Sequence, residues 1–211
     1  MSLSLFQEVI VWAVPVFVAV IFHEVAHGYV AYQLGDPTAK QAGRITLNPI
    51  PHIDPFGTLA LPLLLIVMNS PFLFGYARPV PVNVARLRHP RRDMILVAAA
   101  GPVTNLLLAL AFAALLPLAW VPQLAQAAQP LLAQIALRGV IINVALAVFN
   151  LLPVPPLDGG RVLAGLVPRP LAVLLARIEP YGMLIVVALV ATNVAGVVMR
   201  PLIRGLLGWL L

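Results

Sequence analysis

The sequence predicts an all-α polytopic membrane protein, with about four to six transmembrane helices and a small membrane-associated β or re-entrant loop region. Of its 211 residues, 62% are hydrophobic and 9% are charged, whereas soluble domains have about 45–50% apolar and about 25% charged residues. Several apolar stretches approach the roughly 20 residues that a helix needs to span hydrocarbon. The chain has no cysteine, which excludes disulfides and thiolate metal ligands.

Four stretches are predicted to span the membrane, at residues 5–34, 94–120, 130–152 and 171–199. The first lacks the basic n-region and cleavage site of a removable signal peptide, so we expect it to remain in the protein. Residues 200–211 are too short to span again and are predicted to lie at the interface. No internal repeat or low-complexity linker divides the chain, which predicts one membrane-embedded domain over residues 1–211.

The loop between the first two spans contains an apolar segment, residues 56–76. Glycine, proline and asparagine punctuate the loop, and its short alternating pieces GRITLNP and ARPVPVN indicate turns and strand fragments. Lysine and arginine flank the apolar segment on both sides, which favours the cytoplasm for both flanks. We therefore favour a re-entrant hairpin, with a full pass as the alternative. A hairpin is tolerated at membrane depth only against protein or a wet cavity.

The formal net charge of +6 is a weak indication of nucleic-acid binding. The arginines stand in short loops between apolar runs, where they set membrane topology. We therefore expect the lipid bilayer, and no nucleic acid, as a partner.

The motif that carries chemistry is HEVAH, near the C-terminal end of the first span. His23 and His27 are four residues apart, so on a helix they share one face and can bind one metal ion. Glu24 in this motif serves as general base to water. A chance match is expected in roughly one in a thousand chains of this composition. Because ionisable residues at membrane depth are costly, the motif indicates a functional metal site.

A catalytic zinc ion takes three protein ligands and one open position, so the histidine pair needs a partner. His52, Asp54 and His89 lie in the polar loop, where we expect them to be solvated. Asp36 and Asp93 flank helix ends, where a cap or a helix-dipole interaction explains them.

Asp158 is the favoured third ligand. It stands in NLLPVPPLDGGRV, directly after the third span. The prolines halt that helix, and Gly159 and Gly160 allow the backbone to approach another element closely. An aspartate N-cap opening a helix from Gly159 is the alternative, and both interpretations could hold in part.

Three motifs together resemble those of the site-2 proteases, which are intramembrane zinc metalloproteases. They are HEVAH, AGPVTN at the start of the second span, and FNLLPVPPLDGGR, and they match in order and spacing over about residues 22–163. The loop text TLNPIPHIDPFGTLALPLLL and ARPVPVN resembles the compact bacterial or archaeal subgroup. The resemblance implies one Zn²⁺ per chain, held by His23, His27 and Asp158, with Glu24 as the catalytic base. It also implies that Asn150 helps to bind the substrate or its oxyanion.

The three asparagines of the second and third spans also have structural interpretations. Asn150 could instead be a helix-packing or C-cap residue, and Asn105 and Asn143 are interpreted as interhelical hydrogen-bonding residues. The chain also departs from many family members, because we find no additional span before the metal helix and no PDZ or CBS domain. The loop between the first two spans is therefore the candidate gate.

The resemblance implies hydrolysis of peptide bonds in or near transmembrane segments of membrane proteins, in the prokaryotic cytoplasmic membrane. A strand edge in GRITLNP is expected to hold the unwound substrate. Two alternatives stay open. An inactive membrane chaperone or adaptor on this scaffold is disfavoured by the intact Glu24, and a metal or proton transporter by the convergence of polar groups at one depth. The sequence does not identify the natural substrate or the oligomeric state.

Overall fold

The computed structural model describes residues 4–68, 75–117 and 129–211. Within these ranges the chain is helical, and no residue lies in a β-strand. The α-helices are α1 (Leu5–Gln33), α2 (Thr38–Gln41), α3 (Leu61–Val67), α4 (Pro90–Leu115), α5 (Gln129–Asn150), α6 (Asp158–Leu166), α7 (Arg169–Ile178), α8 (Gly182–Ala191) and α9 (Val194–Leu210).

Four helical stretches of the described ranges are long and apolar enough to cross a membrane. They are Leu5–Gln33, Pro90–Leu115, Gln129–Asn150 and Arg169–Ala191, the last formed by α7 and α8 with a 3₁₀ turn between them. The predicted all-α polytopic class is thereby confirmed, and the chain is an integral membrane protein.

Helices α1, α4 and α5 pack against one another, while α6 packs on α4 and α9 packs on α5. The core between α4 and α5 consists of small and branched side chains around one aromatic ring: Ala109, Phe112, Val140, Val144 and Val148. Gly139 allows the Phe112 ring to approach α5, because a Cβ at that position would overlap the ring. Large apolar side chains such as Leu107 and Leu110 remain exposed on α4, as expected for a helix that faces lipid.

Helices α1 and α4 run antiparallel, and the end of α1 lies beside the start of α4. The Arg88 N–H, just before α4, donates to the Leu34 carbonyl, just after α1, at 3.1 Å. Asp93 in the first turn of α4 accepts the His89 N–H at 2.7 Å, which confirms its predicted role as a cap.

Asp36 is fully buried at the same junction. Its carboxylate accepts the Thr38 N–H at 3.0 Å and the Asn83 N–H at 2.6 Å, so it also acts at a helix end as predicted. Burial alone would raise the pKa of Asp36. The hydrogen bonds from Thr38 and Asn83 outweigh burial, and the pKa lies below its ordinary value.

The apolar segment 56–76 returns to its own starting point. It begins in a π-helical turn, Pro55–Ala60, which continues into α3, and residues 69–74 lie outside the described ranges. The Tyr76 N–H donates to the Gly57 carbonyl at 3.0 Å, and the Tyr76 carbonyl accepts from Thr58 Oγ1 at 2.9 Å. A re-entrant hairpin requires this proximity of the two ends, and its placement in the membrane stays a prediction.

The predicted strand fragments are wrong. In ARPVPVN, Pro79 and Pro81 have no N–H for a ladder, and the N–H groups of Val80 and Asn83 donate to side-chain carboxylates instead. In GRITLNP, residues 45–47 form a bend and no strand, and the Thr46 carbonyl accepts from the imidazole of His52.

The fourth predicted span, 171–199, ends too late. Helix α8 ends at Ala191, and Asn193 adopts a left-handed φ of 59°, which separates α8 from α9. The predicted tail, 200–211, is therefore part of α9, whose Ile203 and Leu207 pack against the α4–α5 core. The end of the second predicted span and residues 121–128 of its following linker lie outside the described ranges.

Candidate metal centre

His23 and His27 occupy successive turns of α1 and face α4. Their ring centroids lie 4.6 Å apart, and the two Nε2 atoms are 3.0 Å apart. The sequence spacing predicts this arrangement, since residues four apart on a helix lie one above the other.

Asp158 joins the two imidazoles from α6. Its Oδ2 atom lies 3.1 Å from His23 Nε2 and 3.3 Å from His27 Nε2. Helix α6 begins at Asp158 itself, with Leu157 at the N-cap position and no side-chain cap, so the alternative of an aspartate N-cap is wrong. Gly159 allows the turn before α6, because a Cβ there would overlap the Leu151 carbonyl.

One backbone acceptor and one side-chain acceptor fix the tautomers of the two imidazoles. His27 Nδ1 lies 2.7 Å from the Val97 carbonyl, and a carbonyl can only accept, so Nδ1 carries the proton. His23 Nδ1 lies 2.6 Å from Asn105 Oδ1 in the same way. Each ring therefore presents the lone pair of Nε2 to the site.

The Asn105 amide is oriented by its own partners. Its Nδ2 group donates to the Ala19 carbonyl at 3.1 Å and to Asn143 Oδ1 at 2.9 Å. Asn143 Nδ2 in turn donates to the Gly139 carbonyl at 2.9 Å. Both asparagines are fully buried between helices. The interhelical role predicted for them is therefore present, and the chain of bonds also reaches His23.

The three converging atoms fit a cation. Two Nε2 lone pairs and the buried Asp158 Oδ2, which has no hydrogen-bond partner in the described part of the chain, face one another without a proton to share. Zinc with bonds of about 2.0–2.2 Å in a tetrahedral site separates its ligands by about 3.3–3.6 Å. The ligand atoms here lie 3.0–3.3 Å apart. Among the described residues, His23, His27 and Asp158 are the one such cluster.

Gly101 of α4 lies directly against the imidazoles, and sequence reasoning did not single it out. A Cβ built there would lie 2.5 Å from His23 Cε1 and 2.5 Å from His27 Nε2. Ordinary carbon contacts are about 3.5–4.0 Å, so no side chain fits without moving a ring. Its position in AGPVTN, four residues before Asn105, is the signal that could have identified it.

Glu24 and Asn150 border the same cavity of about 520 Å³ as the metal cluster. Glu24 Oε2 accepts the Val80 N–H at 2.8 Å. Asn150 is the last residue of α5, and its Nδ2 donates to the Leu146 carbonyl at 3.0 Å. This bond lies within α5, so the alternative for Asn150, a helix-packing or C-cap residue, stays a prediction, and the side chain also lies at the cavity.

The other loop residues considered as ligands lie apart from the cluster. His52 is 3% exposed and its Nε2 donates to the Thr46 carbonyl at 2.9 Å, so the prediction that it is solvated is wrong. Asp54 caps the π-helical turn by accepting the Phe56 and Gly57 N–H groups. His89 is exposed, as predicted.

A second, apolar cavity of about 330 Å³ adjoins the metal site. Phe17 and Val20 of α1 and Ile142 of α5 line it. Tyr76 and Ala77 border both cavities.

The chain matches a protein-family model and several known proteins. Residues 117–192 match the model of peptidase family M50, a range that contains Asn150 and Asp158 but not the HEVAH motif. A Bacillus subtilis protein named "Putative zinc metalloprotease YwhC" is 41% identical over 193 residues, covering 90% of this chain and 84% of that protein.

Two mycobacterial proteins named "Putative zinc metalloprotease Rip2" are also similar. The one from Mycolicibacterium smegmatis is 33% identical over 170 residues, covering 81% of this chain and 62% of its own length. The one from Mycobacterium tuberculosis is 36% identical over 142 residues, covering 67% of this chain and 51% of its own length. No solved structure gives a significant match.

Proposed function

The chain belongs to peptidase family M50, and on that premise we propose that it hydrolyses peptide bonds in or beside transmembrane segments of membrane proteins, as site-2 proteases do. That it is a metalloprotease follows from the family. The observation that carries the finer proposal is the convergence of His23, His27 and Asp158 beside Glu24 on one cavity among apolar helices.

The proposed ligands of one zinc ion per chain are His23 Nε2, His27 Nε2 and Asp158 Oδ2. Asn105 and the Val97 carbonyl support them, because each holds a ring in the tautomer that a metal requires. A zinc ion bound there would supply Lewis-acid activation of water and of the scissile carbonyl.

Glu24 is the proposed general base. It would accept a proton from the attacking water and deliver it to the leaving amine. The assignment rests on its position, because Glu24 borders the cavity without belonging to the ligand cluster. Asn150 is the proposed oxyanion donor. Its Nδ2 group would turn from the Leu146 carbonyl towards the developing charge.

The substrate class follows from the two adjoining cavities. A substrate helix must unwind before its carbonyl can reach the metal site, and the apolar cavity would then hold a large aliphatic or aromatic side chain. The predicted strand edge at GRITLNP is not formed, so the segment at Tyr76 and Ala77, which borders both cavities, is the better candidate to hold the peptide extended.

The proposed location is the prokaryotic cytoplasmic membrane, since the relatives reported above are bacterial. A single membrane-embedded domain acting on transmembrane proteins, without nucleic acid, accounts for the composition. A purified protein that binds the metal but cleaves no peptide bond would instead indicate a chaperone or adaptor. Metal transport across the membrane would indicate a transporter.

Proteolysis of a model transmembrane substrate by the purified protein tests the proposal. Removal of a general base lowers turnover by about 10²–10⁴-fold, so Glu24→Gln is expected to abolish cleavage while zinc content stays at one per chain. Glu8→Gln, a matched change at the other end of α1, is expected to leave both unchanged. Absence of cleavage by the wild-type protein would contradict the proposed function, and loss of zinc in Glu24→Gln would contradict the separation of base and ligand.

A further inference from the structure

Glu24 has a backbone partner that the family motif does not include. Residues 75–83 have no regular secondary structure, and several of them line the metal-site cavity. Backbone N–H groups on both sides of the centre of this segment anchor it to other parts of the chain: Tyr76 to Gly57, Arg78 to His52, and Asn83 to Asp36. The segment is therefore held in place before and after Val80.

Of the three residues 79–81, Val80 is the one that can donate a backbone hydrogen bond. Pro79 and Pro81 have no N–H, and the Val80 N–H lies 2.8 Å from Glu24 Oε2. The side chain of Val80 is 8% exposed and lies over Gly28, where a built Cβ would come 2.9 Å from Val80 Cγ1. The valine thus packs one turn after Glu24 on α1, and this packing sets the position of its N–H.

We propose that Val80 is a positioning residue for the hydrolysis. Its N–H holds Glu24 through Oε2, so that Oε1 faces the attacking water. A carboxylate on a flexible side chain samples several orientations, and a charge-assisted hydrogen bond to a fixed donor selects one. The proposal rests on the proposed function. The competing interpretation is a purely structural tie between the segment and α1.

Amide hydrogen exchange on zinc-free protein tests the contact without reference to proteolysis. A peptide covering residues 77–82 reports on Val80 and Val82, because its first two residues lose their label after digestion and the two prolines carry no amide hydrogen. Glu24→Ala is expected to raise exchange in this peptide by about tenfold or more, since each 1.4 kcal/mol of lost protection is tenfold. Glu24→Gln keeps an acceptor oxygen and is expected to retain protection. Equal exchange in the wild-type protein and Glu24→Ala would overturn the contact.

Replacing the Val80 amide by an ester tests the positioning role. The ester removes the N–H and keeps the side chain, and the matched control is the same replacement at Val84, an exposed valine in the following 3₁₀ turn. Misplacement of a catalytic group by about 1 Å can cost about 100-fold in rate. We expect kcat to fall about 10–100-fold with the ester at Val80, while KM and zinc content match those of the ester at Val84.

A structural tie would change the melting temperature or KM and leave kcat unchanged, and that result would overturn the positioning role. Protection of Val80 in a wild-type protein that cleaves nothing would overturn the proposed function and reduce the contact to a structural tie. The exchange and turnover experiments therefore separate the two failures.

Discussion

Asn105→Ala would break the hydrogen-bond chain behind His23. The side chain is fully buried and bonds to His23, to Asn143 and to the Ala19 carbonyl. Its removal leaves His23 Nδ1 and Asn143 Oδ1 without partners, at about 1–3 kcal/mol each, so stability should fall by about 2–6 kcal/mol. The imidazole also loses its fixed tautomer, and loss of such a partner lowers metal affinity about 10–100-fold, or about 1.4–2.8 kcal/mol.

Zinc competition against a chromophoric chelator, with the protein in detergent, measures the affinity, and circular dichroism measures the unfolding. Asn143→Ala is the matched control, because it removes a buried asparagine one step further from the metal and leaves the contact between Asn105 and His23 in place. We expect both variants to lose stability and only Asn105→Ala to lose zinc affinity tenfold or more. Wild-type zinc affinity in Asn105→Ala would refute the reasoning.

Three further predictions concern the cavity. Asp158→Ala should lose zinc while Asp93→Ala, at a helix cap, keeps it, and full metal content in the former would remove Asp158 from the ligands. Gly101→Ala places a Cβ 2.5 Å from both imidazoles, so zinc binding should fail, whereas Gly205→Ala, with nothing within 4 Å of its Cβ, should bind normally. Asn150→Ala should slow turnover about 10²–10³-fold with zinc retained; near-normal activity would contradict the proposed oxyanion donor and leave Asn150 with a structural role.

Spacing along one helix predicts that His23 and His27 lie together, whereas the third residue of the cluster, Asp158, comes from a distant part of the chain. His23 and His27 lie on one helical face because of their separation alone, and Asp158 follows a proline run that must end α5. The sequence leaves the start of α6 open, since an aspartate before glycine also fits an N-cap. In the structure α6 begins at Asp158, with Leu157 at the N-cap position and no side-chain cap, which decides against the N-cap.

Features that depend on packing between helices could not be predicted from the sequence. Gly101 has no side chain whose chemistry would single it out, and its importance arises only because both imidazoles lie against α4. The prolines around His52 predict a solvated side chain, yet the imidazole is buried and donates to the Thr46 carbonyl. The expected strand at ARPVPVN does not form, because the N–H groups that a ladder would need donate to the carboxylates of Glu24 and Asp36 instead.

The contacts around the metal site also bear on the membrane topology. His23 meets Asn105, whereas His27, later in α1, meets Val97, earlier in α4. The two helices are therefore antiparallel, so the chain between them begins and ends at one face of the bundle. A single full pass by residues 56–76 would make the helices parallel and would strand the arginines that follow the segment on the outer face. The re-entrant hairpin satisfies both the pairing and the positive-inside rule.

Single-cysteine labelling tests the topology, since the chain has no native cysteine. The hairpin places Gln41 before the segment and Arg88 after it in the cytoplasm, so thiols at both positions should be shielded from an impermeant reagent added to intact cells. A thiol at Gln126, in the linker predicted to lie outside, should react. Permeabilised cells provide the control, in which all three should be labelled. Labelling at Arg88 but not at Gln41 would contradict the hairpin, because only an odd number of crossings puts the two positions on opposite faces.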